Sequence, residues 1–138
     1  MKNLIFFLRL SLGWLFIYAG AIKIFDPKWS ADFYLKGAQS FSGFYHWLAL
    51  PANIGWVNLL NEWGLFLVGL FIMIGLFVRH ASVAGIVIMA LYYFPTLHFP
   101  FVGDYSFIID EHIIYIICFC ILFTANAGMY KGLDGRKN

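Results

Sequence analysis

Residues 61–79 read Asn61-Glu62-Trp63-Gly64-Leu65-Phe66-Leu67-Val68-Gly69-Leu70-Phe71-Ile72-Met73-Ile74-Gly75-Leu76-Phe77-Val78-Arg79. One carboxylate opens a long apolar run, and one guanidinium closes it. An ionised group at the edge of a hydrocarbon slab is costly and needs a partner or water. The composition of the rest of the chain agrees with a bilayer setting. Of its 138 residues, 62% are hydrophobic and 12% charged, with a mean hydropathy of +0.81. Soluble domains carry about a quarter charged residues. A net charge of +2 without a basic, aromatic-laced run excludes nucleic-acid binding. Cys118 and Cys120 lie two residues apart in an apolar span, about 200° around a helix, and so do not bridge each other.

Working outward, the pattern gives an all-α membrane protein of one domain over residues 1–138, a four-transmembrane-helix bundle. The spans are expected at about 4–25, 57–78, 81–99 and 108–127, each near the length that crosses a bilayer. The first is too long for a signal peptide, although Ala19-Gly20-Ala21 resembles a cleavage site. Arg9, Leu12, Phe16, Ala19 and Lys23 form one stripe on it, directed into the bundle unless the two cations snorkel. Asp26-Pro27 ends it.

Residues 28–56 form a long interfacial helical loop between the first and second helices. Ser30 is placed to cap a short helix there, with breaks at Gly37 and Gly43. Trp29, Trp47, Trp56 and Trp63 are interfacial anchors. A connection this long is expected to act as a lid or docking surface. On the second span Asn58, Glu62, Gly69 and Met73 share a stripe, and Gly64, Gly69 and Gly75 permit close helix approach. Ala81 and Gly85 are a small-xxx-small pair on the third span, which is expected to kink at Pro95 and continue. An exposed loop follows at 100–107.

Six of the nine basic residues (Lys2, Arg9, Arg79, Lys131, Arg136 and Lys137) fall on one side of this topology. The positive-inside rule then puts both termini in the cytoplasm, N-in and C-in. Of the seven acids only Asp134 lies inside; Asp104 is among the six outside. Lys23, Glu62, His98, Asp110, Glu111 and His112 arrive together at the outer boundary. Lys23 and Glu62 are the expected ion pair. Of the consecutive Asp110, Glu111 and His112, Asp110 is expected to face inward, in line with Ile114, Ile117 and Ile121. Glu62, Lys23 and Asp110 are therefore the candidate catalytic residues, with His112, His98, Tyr115 and Asn58 as candidate cofactor contacts. No metal-binding spacing is present, and no metal is expected.

A carboxylate, a lysine and a histidine beside Tyr92, Tyr93, Tyr115 and Phe25 suit a lipid-soluble, hydrogen-bonding molecule. A quinone is the expected cofactor, since its head group seeks the interface and its two-electron reduction takes up two protons. Electron transfer would need a redox group held by a partner.

Several motifs in order resemble the DoxX family, nearest its branch related to DoxD, the small subunit of thiosulfate–quinone oxidoreductase. They are Gly13, Ala19-Gly20, Lys23 and Asp26-Pro27; then Val57-Asn58-Leu59-Leu60-Asn61-Glu62-Trp63-Gly64, Gly69, Gly75 and Arg79. Ile109-Asp110-Glu111-His112-Ile113-Ile114-Tyr115, Asn126-Ala127-Gly128 and Gly132-Leu133-Asp134 follow. The resemblance implies a multi-pass protein of a bacterial or archaeal plasma (inner) membrane, linked to quinone and sulfur or oxidative-stress redox chemistry. It also implies a second redox subunit. Its intramembrane acidic and basic positions fall on Glu62 and Lys23. Expected partners are membrane lipid and either a homo-oligomer or that second subunit. The leading reading is an accessory membrane subunit of a quinone-linked oxidoreductase. The alternatives are a non-enzymatic scaffold whose 28–56 loop docks an extracytoplasmic partner, and a small proton-coupled transporter, which would need an oligomer.

Overall fold

A computed structural model describes residues 1–103 and 106–136. Asp104 and Lys137, which enter the charge argument above, lie outside the described residues. The elements are α1 (Lys2–Ile24), α2 (Asp32–Lys36), α3 (Ser42–Leu48), α4 (Ile54–Ile74) and α5 (Val78–Tyr93). A two-stranded antiparallel hairpin follows, β1 (Phe101–Gly103) and β2 (Ser106–Phe107), and then α6 (Glu111–Thr124). Short 3-10 turns at Ala127–Met129 and Leu133–Arg136 end the described chain. The protein is thus mostly helical. Two helices, α1 and α4, are long and apolar enough to cross a membrane; α5 and α6 are shorter apolar helices.

Small residues draw α1 and α4 together. A Cβ on Gly69 would come within 2.7 Å of the Gly13 carbonyl oxygen, and one on Gly20 within 2.5 Å of the Phe66 nitrogen. Backbone therefore meets backbone along this seam, as in small-residue helix pairs. Gly85 on α5 serves a different end: it leaves the space that the Phe119 ring of α6 fills. Phe119 stacks edge-on against Phe16, with centroids 5.0 Å apart. Around it Leu12, Leu65, Ile72, Val78 and Leu122 complete the core of the bundle. Gly75 closes α4 with φ +74°, the left-handed geometry that favours glycine.

Arg9 does not snorkel. Its side chain is 1% exposed. Nη1 donates to the carbonyls of Ala127 (2.8 Å) and Tyr130 (3.1 Å), and Nη2 to that of Lys131 (3.1 Å). The Ala127 carbonyl also accepts from the Tyr130 N–H at 3.2 Å, whereas the Tyr130 and Lys131 carbonyls lie past the end of the helical turn; the guanidinium serves all three. Asp134 completes this end. Its carboxylate accepts from the Phe77 and Val78 N–H groups (2.9 and 3.1 Å), which caps α5 from a distant part of the chain.

Several expectations change at the other end. The third helix does not continue past Pro95; α5 stops at Tyr93. Pro95 has no N–H to give the Leu91 carbonyl, and that carbonyl accepts from Tyr45 Oη at 3.0 Å instead. The 100–107 loop is a hairpin, with Phe101 opposite Phe107 and their rings 5.6 Å apart, so the chain is not purely α-helical. Gly43 does not break a helix but lies inside α3. Residues 28–56 fold as a layer with a small core of its own: Ala31, Leu35, Tyr45, Leu48 and Val57 are buried together.

Replacing Arg9 with Met removes the donor of the partly buried Tyr130 and Lys131 carbonyls and leaves the buried Ala127 carbonyl with the Tyr130 N–H alone. The expected loss is about 3 kcal/mol of unfolding free energy in bicelles. Hydrogen exchange at residues 127–134 should accelerate while that of the α1–α4 seam does not. Unchanged protection at 127–134 would remove Arg9 from this role.

Candidate functional site

Lys23 sits in the last turn of α1, where the stripe that carries Phe16 and Ala19 reaches the end of the bundle away from Arg9. It is half-buried. Its ammonium donates to Asn61 Oδ1 of α4 and to Tyr92 Oη of α5, both at 3.1 Å. The Trp29 ring lies 4.5 Å from the same nitrogen and the Tyr92 ring 5.0 Å. Two oxygen acceptors and two aromatic faces therefore replace water around this charge.

The expected Lys23–Glu62 ion pair is not made. Among the described residues the ion pairs are Lys36–Asp32 and His112–Asp110, and Glu62 takes part in neither. Helix geometry gives the reason. The buried face of α4 runs through Leu65, Val68 and Ile72, and Asn61 continues it one turn toward the start of the helix. Glu62 is displaced by about 100° from Asn61 and lies half-buried to one side. Asn58 is also turned away from Lys23. Its Oδ1 accepts from the Ala31 N–H at 3.0 Å and its Nδ2 donates to Ser30 Oγ at 3.1 Å, so it pins the α2–α3 layer to α4. Ser30 in turn accepts from the Asp32 N–H at the start of α2.

On α6, Asp110 is the N-cap rather than an inward-facing group. Oδ1 accepts from the Ile113 N–H at 3.1 Å, and Oδ2 lies 2.6 Å from His112 Nδ1. A carboxylate on Nδ1 fixes the imidazole's orientation and leaves Nε2 as its second hydrogen-bonding atom. The His112 and Tyr92 rings stand 6.1 Å apart, edge to face. His98 is not brought in. It is exposed beside the hairpin, where its carbonyl accepts from Phe101.

What converges is a cleft of ≈ 220 Å³ lined by Leu15, Phe16, Ala19, Lys23, Leu65, Met89, Tyr92, Glu111, His112 and Tyr115. Lys23, His112 and Tyr115 were expected at a common site, and the structure brings them together. Glu62, Asp110, His98 and Asn58 do not line the cleft, although Asp110 acts on it through His112. Glu111, expected in the same cluster, is also there; Asn61 and the hydroxyl role of Tyr92 were missed. Asn61 was discernible as the residue one turn before Leu65; nothing in the local sequence distinguishes it from Glu62 without the register of α1. A larger hollow of ≈ 580 Å³ lies at the surface between α2 and Pro95-Thr96. Its charges are the exposed Asp32–Lys36 pair, 2.8 Å apart, so it lacks a buried polar group around which to organise a ligand.

The cleft is apolar at one end and rich in hydrogen-bonding groups at the other. Lys23 and Tyr92 can donate or orient donors, His112 can donate or accept, and Glu111 stands at the rim. Such a set can bind an oxygen-bearing ring and exchange protons with it.

Compared with known proteins, residues 4–98 match the family model described as DoxX. No curated protein and no solved structure matches the chain.

The Lys23 contacts generate a stability test. Asn61→Leu leaves a half-buried ammonium short of an acceptor and should cost about 2 kcal/mol. Adding Lys23→Met removes the charge as well, and most of that loss should return, because apolar replacement of both partners is nearly neutral. Unfolding of the two variants in bicelles checks this; a double variant no more stable than Asn61→Leu would contradict it.

Proposed function

The chain belongs to the DoxX family, and on that premise we propose that it is a quinone-binding accessory subunit of a membrane redox complex. Membership makes it a membrane protein. The finer topology in this proposal is four spans with both termini in the cytoplasm. Support comes from the outward faces of all four long helices, which are apolar and exposed: Phe7 and Trp14 on α1, Leu60 on α4, Val87 on α5, Ile114 and Ile117 on α6. Patches of this extent are not left in water. At about 1.5 Å per residue α5 and α6 reach only about 24 and 21 Å, short of the roughly 30 Å slab. The hairpin and the α2–α3 layer make up the outer end. Arg9, Arg79 and Lys131 share the opposite end, which is the cytoplasmic one by the positive-inside rule.

The single observation that carries the quinone reading is the meeting of Lys23, Tyr92 and His112 at one end of a cleft whose other end is apolar. Pockets for whole drug-sized ligands run to about 300–1,000 Å³. A volume of ≈ 220 Å³ suits one ring and its oxygens. A quinone, when bound, would supply two-electron chemistry coupled to protons. The chain's own residues bind the ring oxygens, orient them and hold protons at Lys23 Nζ, Tyr92 Oη and His112 Nε2. The electrons belong to a second subunit, in keeping with the DoxD-like branch, and the setting is a bacterial or archaeal plasma membrane. A permeation path through one chain is less well supported, since Phe16, Phe119 and Leu122 fill the bundle beneath the cleft.

A scaffold role has one observation in its favour: Phe33 is 81% exposed on α2, with Phe41 and Trp47 nearby in sequence and also exposed. Binding separates the two readings. Purified protein in lipid nanodiscs should bind a benzoquinone-ring analogue. Lys23→Met should weaken it at least about tenfold, equivalent to about 1.4 kcal/mol. Glu62→Gln should leave it unchanged. Equal affinity for the wild type and Lys23→Met would remove the quinone reading, and a partner retained on the α2–α3 layer without any quinone binding would favour the scaffold.

A further inference from the structure

Resting on the ring-binding reading above, we infer that the cleft is loaded sideways from the hydrocarbon, and that its ligand carries an apolar chain lying between α1 and α6. Three observations lead there. The first is closure above Lys23. Trp29 covers its ammonium, Asn58 ties Ser30 and Ala31 to α4, and Tyr45 Oη bonds the Leu91 carbonyl on α5. With its own buried core, the α2–α3 layer is a fixed cover, anchored to both helices that contact Lys23.

The second observation is where the bundle fails to close. α1 packs along α4, and α6 along α5, whereas the α1 and α6 backbones stand further apart and are bridged by Phe16, whose ring touches those of Tyr115 and Phe119. The cleft lies along that gap. Its wall descends from Lys23 through Ala19 to Leu15, eight positions and about 12 Å down the helix axis. Leu15 is 39% exposed although it lines the cleft. The mouth on this side is thus apolar and opens well below the outer boundary, at the depth of lipid chains. Among the lining residues Glu111 is exposed, a charged group suited to meeting water rather than to admitting an apolar ring.

The third observation is size. Space of ≈ 220 Å³ holds a ring but not a lipid-length substituent. A chain on that ring must leave by the mouth, and Leu15, Ala19 and Tyr115 offer it an apolar track over the buried Phe16. The substrate class is therefore an amphiphile with a single hydrogen-bonding ring and one apolar chain.

The test uses two benzoquinone probes, one with a ten-carbon alkyl chain and one without, titrated into full-length protein in nanodiscs. Affinities are expressed per mole fraction in the bilayer, so that simple partitioning of the chained probe cancels. The chained probe should bind at least about tenfold tighter on that scale. Leu15→Trp, which fills the mouth, should weaken the chained probe about tenfold and the chainless one less than twofold. A diazirine at the chain end should crosslink to α1 and α6 in the unmodified protein, a readout that needs no variant. Equal binding of the two probes would overturn lateral loading while leaving the ring site intact. So would crosslinks in the hollow between α2 and Pro95. Failure of both probes to bind wild type would overturn the ring site itself, and this inference with it.

Discussion

A lysine ammonium among apolar helices must find substitutes for its water, and in this protein the end of the bundle away from Arg9 is arranged around that need. Lys23 receives oxygen from Asn61 on α4 and Tyr92 on α5, and aromatic faces from Trp29 and Tyr92. Each supplier is held by a separate device. The glycine seam sets the depth of Asn61 relative to α1. The Phe119 ring seated at Gly85 sets α5 against α6, and so places Tyr92 beside His112. The pinned α2–α3 layer places Trp29. Because these suppliers are neutral, the positive charge is not cancelled by a carboxylate in direct contact, and it remains available to an oxygen-bearing ligand.

The same helix carries a second cation, and the contrast between the two is instructive. Arg9 is enclosed by backbone carbonyls of the C-terminal segment, a rigid planar donor matched to fixed acceptors. That end of the bundle is filled and closed. Lys23 is met by side chains from two helices and by rings, and a cleft survives next to it. One helix thus has a structural cation at one end and a chemically accessible one at the other.

Much of this was legible in the sequence. The apolar runs gave the long helices, and the basic stripe of α1 pointed into the bundle at both ends. The clustering of Lys23, Tyr115 and His112 followed from counting helix directions. What escaped depended on rotation and register. Asn61 and Glu62 are neighbours separated by about 100°, and choosing between them requires knowing how α1 sits against α4. Asp110 was expected to face inward with Ile114, but it sits one residue before α6 and caps the helix instead. Pro95, which has no N–H, ended α5 rather than kinking it, and the Leu91 carbonyl it leaves open accepts from Tyr45, a residue far back in the chain. Arg9's partners are carbonyls, which any sequence supplies, so no side-chain pattern marks them.

The most direct test of this account is an experimental structure of the protein in a lipid nanodisc with a chain-bearing benzoquinone analogue. The account predicts ring oxygens within hydrogen-bonding distance of Lys23 Nζ and of Tyr92 or His112, with the chain passing out between α1 and α6 beside Leu15. A ring bound elsewhere, or a Lys23 ammonium that has left Asn61 to pair directly with Glu62, would contradict it.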